Sequence, residues 1–358
     1  MRISSCRFMS VSLRDRLRAG LIASVLLLCT VLVASSSAAF TKVGMAGLPF
    51  LKIGVGRTTG MGEAFVAVAD DASAAYWNPA GLALVAGRQA VVNHIDWISD
   101  VNHEYLSVVV PTAIGSIGGS VTALTLGKFE ETTIDQYQGT GRTFSGADIA
   151  FGITYARMFT DRLAFGLTAK AVSERIWDVG TTGVAFDFGV HYNTGWRNLR
   201  VAMAMANFGP DLSYSGSQLN FTHDPDWEWP WTREPIPARY LTETFPLPMV
   251  FRFGLAYDIL RTEASYLTAA LDLNHFNDVN EKVNFGIEYN YRQFYLRGGY
   301  ILNTDPAYAA DVGWDTGLSL GFGVRVRPTS AFGIGLDYGY RNLGRLGLSH
   351  RLSLAVDF

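Results

Sequence analysis

Large apolar residues alternate with small or charged residues along much of the chain. In residues 317–327, Leu318, Leu320 and Phe322 alternate with serine and glycine. Residues 332–341 and 348–358 keep the same period of two, which is the period of a β-strand with two different faces. Each stretch has about the 9–11 residues that a tilted strand needs to cross a bilayer. The pattern therefore predicts membrane-spanning β-strands.

The same alternation predicts fourteen strands in all. The other eleven lie near residues 88–98, 103–111, 115–126, 147–158, 163–174, 183–192, 199–208, 248–258, 265–275, 281–291 and 294–302. An even count brings both ends of a single-chain barrel to the periplasmic side. Every second connection is short, whereas connections such as 127–146, 209–247 and 303–316 are long. Periplasmic turns and outer loops differ in this way.

A soluble protein with a half-buried sheet would also show alternation. The chemistry of the two faces favours a membrane barrel, because the regular face is large and apolar while the other is small, polar or charged. Lipid cannot satisfy polar groups, so such a barrel turns its apolar face outward, and closure leaves no strand edge unpaired. The sequence thus predicts an all-β membrane protein, an antiparallel outer-membrane β-barrel over residues 88–358.

The first 39 residues have the pattern of a cleavable signal peptide. Five arginines precede an apolar run from Leu21 to Val33, and small residues follow it up to Ala39. Both cysteines, Cys6 and Cys29, fall in this segment. The exported chain would therefore lack a thiol for a disulfide, a thiolate metal site or a cysteine nucleophile. We expect localisation to the bacterial outer membrane.

Residues 40–87 do not alternate, and they predict a plug. One helical turn is predicted where four apolar residues share a face: Met61, Ala64, Phe65 and Val68. Asp71 can cap a second turn over residues 72–76, and Pro79 ends it. Turns this short need something to pack on. The lumen of the barrel is the available shelter.

Three motifs in this stretch resemble a known family. They are Gly60-Met61-Gly62, Ala69-Asp70-Asp71-Ala72-Ser73-Ala74 and Trp77-Asn78-Pro79-Ala80-Gly81-Leu82. Together they closely resemble the N-terminal plug of the PorV/PorQ family, which is related to the FadL-type fatty-acid channels. The resemblance implies a fourteen-strand barrel over residues 40–358 with a hatch in the lumen. It makes these residues candidates for plugging and gating: Gly60, Gly62, Asp70, Asp71, Trp77, Asn78, Pro79, Ala80 and Gly81.

Two functions follow from the resemblance. The leading hypothesis is a non-enzymatic component that handles exported proteins of type IX secretion through its outer loops, as PorV does. The alternative is a FadL-like channel for the uptake of hydrophobic small molecules such as fatty acids, gated around Asn78, Pro79 and Ala80.

Charges on the inward face and an aromatic loop are the other candidate features. The predicted lumen charges are Lys170, Asp187, Arg252, Asp272, Glu288, Arg297, Arg325, Asp337, Arg351 and Asp357; they either pair inside a filled lumen or line a polar path. The loop 209–247 contains Trp227, Trp229 and Trp231. It is either a lid at the barrel mouth or the membrane interface, or an outer platform for a partner protein or hydrophobic ligand.

Catalytic and metal-binding motifs find little support. The sequence Gly317-Leu318-Ser319-Leu320-Gly321 matches a nucleophile elbow but lies within a predicted strand. The six histidines form no ligand-spaced cluster. A formal net charge of −3 gives no sign of nucleic-acid binding. We expect no enzyme, metal or cofactor. The expected partners are outer-membrane lipid and, through the C-terminal aromatic Phe358, the barrel assembly machinery.

Overall fold

The structure is a computed structural model that describes residues 47–98, 101–223, 236–304, 317–329 and 332–358. The predicted signal peptide and the loop residues Trp227, Trp229 and Trp231 lie outside these ranges. No helix in the described ranges is both long enough and apolar enough to span a membrane.

Fourteen antiparallel strands form one closed barrel, which confirms the predicted fold. The strands are β1 Gln89–Asp96, β2 Asn102–Thr112, β3 Gly115–Thr125, β4 Gly146–Met158, β5 Leu163–Ile176, β6 Val179–Asn193, β7 Arg200–Phe208, β8 Val250–Arg261, β9 Ser265–Phe276, β10 Lys282–Tyr291, β11 Phe294–Asn303, β12 Leu318–Thr329, β13 Phe332–Asn342 and β14 Leu348–Asp357. Each strand pairs with its neighbours in sequence, and the first pairs with the last, so the sheet closes on itself.

The connection between β5 and β6 differs from the prediction. Both strands run further than the alternation indicated, and Ile176 pairs with Val179 across a tight turn. Large and small residues do not alternate in 179–183, so the pattern could not reveal this extension. The connections at that end of the barrel are therefore not all long. We call this end, which carries the loops 126–145 and 209–249, the outer end, and the opposite end the turn end.

The outside of the barrel is a band of large apolar side chains. Ile153 is 72% exposed and Leu336 is 55% exposed, whereas the adjacent Thr154 and Asp337 face inward and are buried. A continuous apolar surface of this kind on a closed barrel is the surface that lipid covers.

The plug comprises residues 47–87 and lies inside the barrel. It contains 3₁₀ turns at Pro49–Lys52, Gly56–Met61 and Pro79–Leu84 and one α-helical turn at Ala74–Trp77. Its side chains from Leu48 to Leu82 are almost all buried. The plug thus provides most of the buried apolar side chains that pack against the inner face of the strands.

The predicted helical turn from Met61 to Val68 is wrong. Gly62 and Glu63 adopt left-handed conformations, with φ of 62° and 59°, and this ends the 3₁₀ turn at Met61. The backbone N–H groups of Phe65 and Val66 then donate to the Asp272 carboxylate of β9, at 2.7 and 2.9 Å, instead of to a helix.

The second predicted turn begins two residues later than predicted, at Ala74. Asp71 caps the residues that lead into it, as predicted: its carboxylate accepts hydrogen bonds from the backbone N–H and the hydroxyl of Ser73, at 2.9 and 2.5 Å, and its carbonyl accepts the N–H of Ala74. Pro79 opens the next 3₁₀ turn, where its fixed φ is favourable.

Glycines on the inner wall allow the plug backbone to touch the strands. A β-carbon at each of these wall positions would meet plug atoms: Gly118, Gly166, Gly189, Gly254, Gly286, Gly299, Gly321 and Gly339. At Gly299 the obstacles are backbone atoms of Met61 and Gly62, and a β-carbon on Gly60 would lie 2.6 Å from the Cα of Gly321. The plug therefore fits only because these side chains are absent.

We expect the substitution Gly299→Ala to destabilise the barrel by about 1–3 kcal/mol, because the added methyl group meets backbone that cannot rotate away. The neighbouring Gly298→Ala is the matched control, since a β-carbon there meets nothing within 4 Å. Denaturant unfolding in detergent micelles measures both. Equal free energies of unfolding for the two variants would contradict a glycine-dependent fit.

Candidate functional site

The plug separates two cavities at opposite ends of the lumen. The outer cavity has a volume of about 470 Å³ and is bordered by the plug and by the connection between β1 and β2. The cavity at the turn end is smaller, about 250 Å³, and contains Asp70, His191, Arg200 and Asp258. A molecule that crossed the barrel would have to pass the plug between them.

The outer cavity has an apolar side and a cationic side. Its apolar lining comprises Phe50, Ile53, Trp97, Ile98, Val101, Leu124 and Leu126. On the other side, Lys52 pairs with Asp278, and Arg341 pairs with Glu63 at 2.8 Å. Lys282 has no ion-pair partner in the described part of the chain; its ammonium lies 5.3 Å from the centre of the Phe276 ring. The cavity thus combines apolar surface with a lysine that forms no ion pair in the described part of the chain.

Arg57 is the centre of an ion-pair network that joins plug to wall. Its guanidinium donates to Asp71 at 2.8 Å and lies 3.2 Å from Glu288 of β10, and it also pairs with Asp70. Burial alone lowers the pKa of Arg57, but the three carboxylates raise it well above its ordinary value. The guanidinium therefore stays charged inside the barrel.

The network continues along the inner wall from β10 to β13. Glu288 accepts from Arg297 at 2.6 Å, and Arg297 reaches Asp337 at 2.6 Å. Arg325 lies 3.9 Å from Asp71 of the plug. Burial raises the pKa of Asp71, but Arg57 and then Arg325 lower it below its ordinary value.

A second ionic contact holds the plug near the outer cavity. Glu63 pairs with Arg341 at 2.8 Å and with Arg351 at 3.1 Å, and Arg351 also donates to the carbonyl of Gly54 at 2.6 Å. Burial raises the pKa of Glu63, but the two guanidinium groups lower it to about 2. Its stabilising contribution is complete above pH 4.5 and is lost only as the pH falls through about 2.

The Asn78 turn locks the plug against the opposite wall. The Asn78 amide donates to the carbonyls of Val66 and Val190, each at 3.1 Å, and its oxygen accepts from the backbone N–H of Ala80 at 3.2 Å. Gly166 and Gly189 leave room for the Pro79 and Ala80 backbone. One buried side chain therefore joins two parts of the plug and strand β6.

The remaining gating candidates have structural contacts. Gly60 and Gly62 touch the wall, and a β-carbon on Gly81 would meet the carbonyl of Ala69. Trp77 donates to the carbonyl of Val55 at 2.9 Å. The Arg252 guanidinium of β8 lies 5.2 Å from the centre of the Trp77 ring.

All seven main lumen-charge candidates lie on the inner face, where most of them bind other charges or the plug: Arg252, Asp272, Glu288, Arg297, Arg325, Asp337 and Arg351. In the structure, these charges pair inside a lumen filled by the plug and do not line an open polar path. Sequence reasoning missed Arg57 and Glu63, which are the plug's side of these contacts. Charge within an otherwise apolar stretch was the signal that could have identified them.

The ends of the outer loop 209–249 fold into the barrel mouth. Leu212 and Phe245 form a β-bridge, and Tyr214 stacks on Phe245 with 5.0 Å between ring centres. Further out, Phe221 and Tyr240 stack on a short hairpin, and the neighbouring Leu241 is 98% exposed. The described part of the loop thus contains both a lid and an exposed hairpin.

Metal and catalytic groups are not assembled in the ranges that the structure describes. No three His, Cys, Asp or Glu side chains there lie close enough to hold a metal ion. Ser319 of the elbow-like motif lies on β12 with its side chain buried against the lumen.

We expect Arg57→Met to lower the free energy of unfolding by roughly 3–5 kcal/mol, because it leaves buried carboxylates without their cation. Arg327→Met is the control: its side chain is 75% exposed and lies 3.5 Å from Asp357, so its loss should cost under about 1 kcal/mol. Thermal unfolding followed by circular dichroism compares the two. An Arg57 variant as stable as the control would refute a structural role for the network.

Comparison with sequence families gives a partial match. The profile of the uncharacterised protein family UPF0164 matches residues 29–170, which include the plug and the first strands. Among curated proteins, none matches the sequence significantly.

Solved structures give matches over most of the chain. The CymD monoaromatic hydrocarbon channel is 13% identical, with a TM-score of 0.52, over 87% of this chain and 99% of that channel. The toluene transporter TbuX of Ralstonia pickettii is 12% identical, with a TM-score of 0.52, over 84% and 96%. The toluene transporter TodX of Pseudomonas putida is 12% identical, with a TM-score of 0.50, over 88% and 98%. The chain therefore shares the FadL-like fold, a fourteen-strand barrel with short N-terminal helical turns.

Proposed function

We propose that this protein is an outer-membrane channel for small hydrophobic molecules, closed by its plug in the state described. The observation that carries the proposal is the amphipathic outer cavity directly above the plug. The structures with a similar fold are named as a monoaromatic hydrocarbon channel and toluene transporters. They support a channel role for this chain better than a role in secretion.

The cavity suits a small amphiphile. Its volume of about 470 Å³ falls within the ~300–1,000 Å³ of typical ligand pockets. Phe50, Trp97 and Leu124 offer apolar contact, and Lys282 offers a positive charge without an ionic partner in the described chain. A hydrophobic molecule with one acidic group, such as a fatty acid, matches both features.

Transport requires the plug to move. The Arg57 network and the Asn78 turn occupy the lumen between the two cavities. A shift of the plug would open a path without rearranging the strands. The plug therefore acts as the gate of the proposed channel.

A disulfide between plug and wall tests this gate. The Cβ of Ala64 lies 3.1 Å from a β-carbon built on Gly286 of β10, slightly closer than the ~3.5–4.5 Å of a disulfide. A β-carbon on Gly286 also lies 2.5 Å from the carbonyl oxygen of Met61, so the plug must shift locally to accept the double variant Ala64→Cys, Gly286→Cys, and the reduced form of this variant is the reference for its oxidised form. We expect oxidation to lower fatty-acid uptake into proteoliposomes at least tenfold and reduction to restore it.

A cross-link within the wall is the matched control. The Cβ of Ala355 lies 3.5 Å from a β-carbon built on Gly335, and both residues belong to adjacent strands of the wall, so this cross-link does not join the plug to the wall. Oxidising Gly335→Cys, Ala355→Cys should leave uptake unchanged. Uptake that persists with the plug cross-linked, or an absence of uptake by the unmodified protein, would rule out the channel.

A second candidate function is the handling of exported proteins, which the PorV/PorQ resemblance implies. The exposed hairpin favours it, because Phe221 and Tyr240 form an aromatic pair beside the exposed Leu241. Aromatic side chains of this kind commonly anchor partner proteins.

Cargo capture tests the second candidate. Replacing Phe221, Tyr240 and Leu241 with serine should abolish co-purification with secreted proteins of the host. Serine at the exposed Ile134 of the other long loop is the control and should leave it intact. Cargo that still co-purifies with the triple variant would argue against this contact surface.

A further inference from the structure

Two separate segments close the outer half of the lumen. We call them together the outer cap: plug residues 47–53 and loop residues 212–214 and 245–247. Their buried apolar side chains form one cluster with the wall: Leu48, Phe50, Leu51, Ile53, Leu212, Phe245 and Leu247 from the cap, and Ile95, Leu124, Ala150, Val172 and Ala185 from the strands. Apolar contacts of this kind are non-directional. The polar contacts of the outer cap therefore decide how firmly the cap closes.

Glu174 of β5 binds both segments of the outer cap. One carboxylate oxygen accepts the backbone N–H of Leu48, and the other accepts the Tyr214 hydroxyl at 2.7 Å. Glu174 is buried. Hydrogen bonds to an ionised carboxylate are stronger than neutral ones, and little water competes at this site. A single side chain thus fastens the plug and the loop to the same strand.

Asp148 of β4 faces Glu174 from the adjacent strand. The two residues are direct partners in the antiparallel register, which separates their Cβ atoms by roughly 4.5–5.5 Å. Asp148 is also buried, and its Oδ1 has no hydrogen-bond partner. In the described part of the chain, no lysine, arginine or histidine forms an ion pair with either carboxylate. No cationic side chain in these ranges therefore offsets their mutual repulsion, although the backbone N–H of Arg175 donates to Asp148.

The neighbours of the pair do not relieve this repulsion. Across β3 the partner of Asp148 is Leu124, and across β6 the partner of Glu174 is Thr181. Both are neutral. From the loop, Tyr214 donates its hydroxyl to Glu174. Closure of the outer cap removes water that would otherwise screen the repulsion between the two carboxylates. The hydrogen bonds of Glu174 therefore favour closure, whereas the charge of Asp148 opposes it.

We propose that Glu174 and Asp148 form an electrostatic latch for the outer cap: Glu174 holds the cap closed, and the charge of Asp148 weakens that hold. The latch sets how often the outer end opens, whichever molecule passes. It rests on the contacts of the cap and not on the proposed transport. Neutralising Glu174 should therefore loosen the outer cap, whereas neutralising Asp148 should tighten it.

A cysteine reporter measures opening directly. Leu212 is 7% exposed in the closed cap, and residues 30–358 contain no cysteine. In the full-length protein with Cys6→Ser, Cys29→Ser and Leu212→Cys, kept at pH 8 in detergent micelles, a water-soluble maleimide reports exposure of this site alone. Adding Tyr214→Phe should accelerate labelling about tenfold, because it removes a hydrogen bond to a charged group. Adding Asp148→Asn should slow labelling at least threefold.

The proposal predicts faster labelling with Tyr214→Phe and slower labelling with Asp148→Asn. Slower labelling in the Asp148 variant cannot result from unfolding, which would accelerate it. Glu174→Gln, as a second variant, should accelerate labelling like Tyr214→Phe. Ile134→Cys, at a side chain that is 99% exposed, should be labelled equally fast in every background. Unchanged labelling with Tyr214→Phe, or unchanged or faster labelling with Asp148→Asn, overturns the proposal, and neither result depends on whether fatty acids are transported.

Discussion

The contact of the plug backbone with glycines of the inner wall is the constraint on which the rest of the structure depends. A barrel of fourteen strands is wider than its own side chains can fill. The plug fills it, and its peptide groups lie where wall side chains would otherwise stand, as at Gly299 and Gly321. Each β-carbon added there would push the plug away. The positions of the ion pairs and of both cavities follow from this fit.

The charges add specificity to this steric fit. Burying a charge is costly unless a partner is positioned to receive it. Glu288, Arg297 and Asp337 lie on β10, β11 and β13, so one inner wall carries paired charges of both signs that Arg57 joins from the plug. On the opposite wall the plug is held by the hydrogen bonds of Asn78. A plug with another orientation would leave the buried charges of Arg57 and Glu288 unpaired.

The barrel was predictable from sequence because its signal is local and repeated. The alternation of Leu320 and Leu336 with their immediate neighbours is enough to predict that both face outward, and this prediction needs no information about distant residues. The plug was harder, because its conformation depends on contacts far along the chain: Arg57 meets Glu288 across 231 positions. The left-handed conformation of Glu63 also has no sequence signature, since only glycine and asparagine adopt it readily. The sequence predicted which charged residues of the strands face the lumen, but it did not predict their ion-pair partners.

The two cavities differ in a way that gives the proposed channel a direction. One side of the outer cavity is a continuous apolar lining, whereas charged groups such as Asp70, Arg200 and Asp258 are spread around the cavity at the turn end. A hydrophobic molecule gains free energy by leaving water for the outer cavity. It gains less at the turn end, where ion pairs dominate the lining. In the proposed channel, a hydrophobic molecule therefore binds in the outer cavity before it passes the plug, and movement of the plug controls its release into the cavity at the turn end.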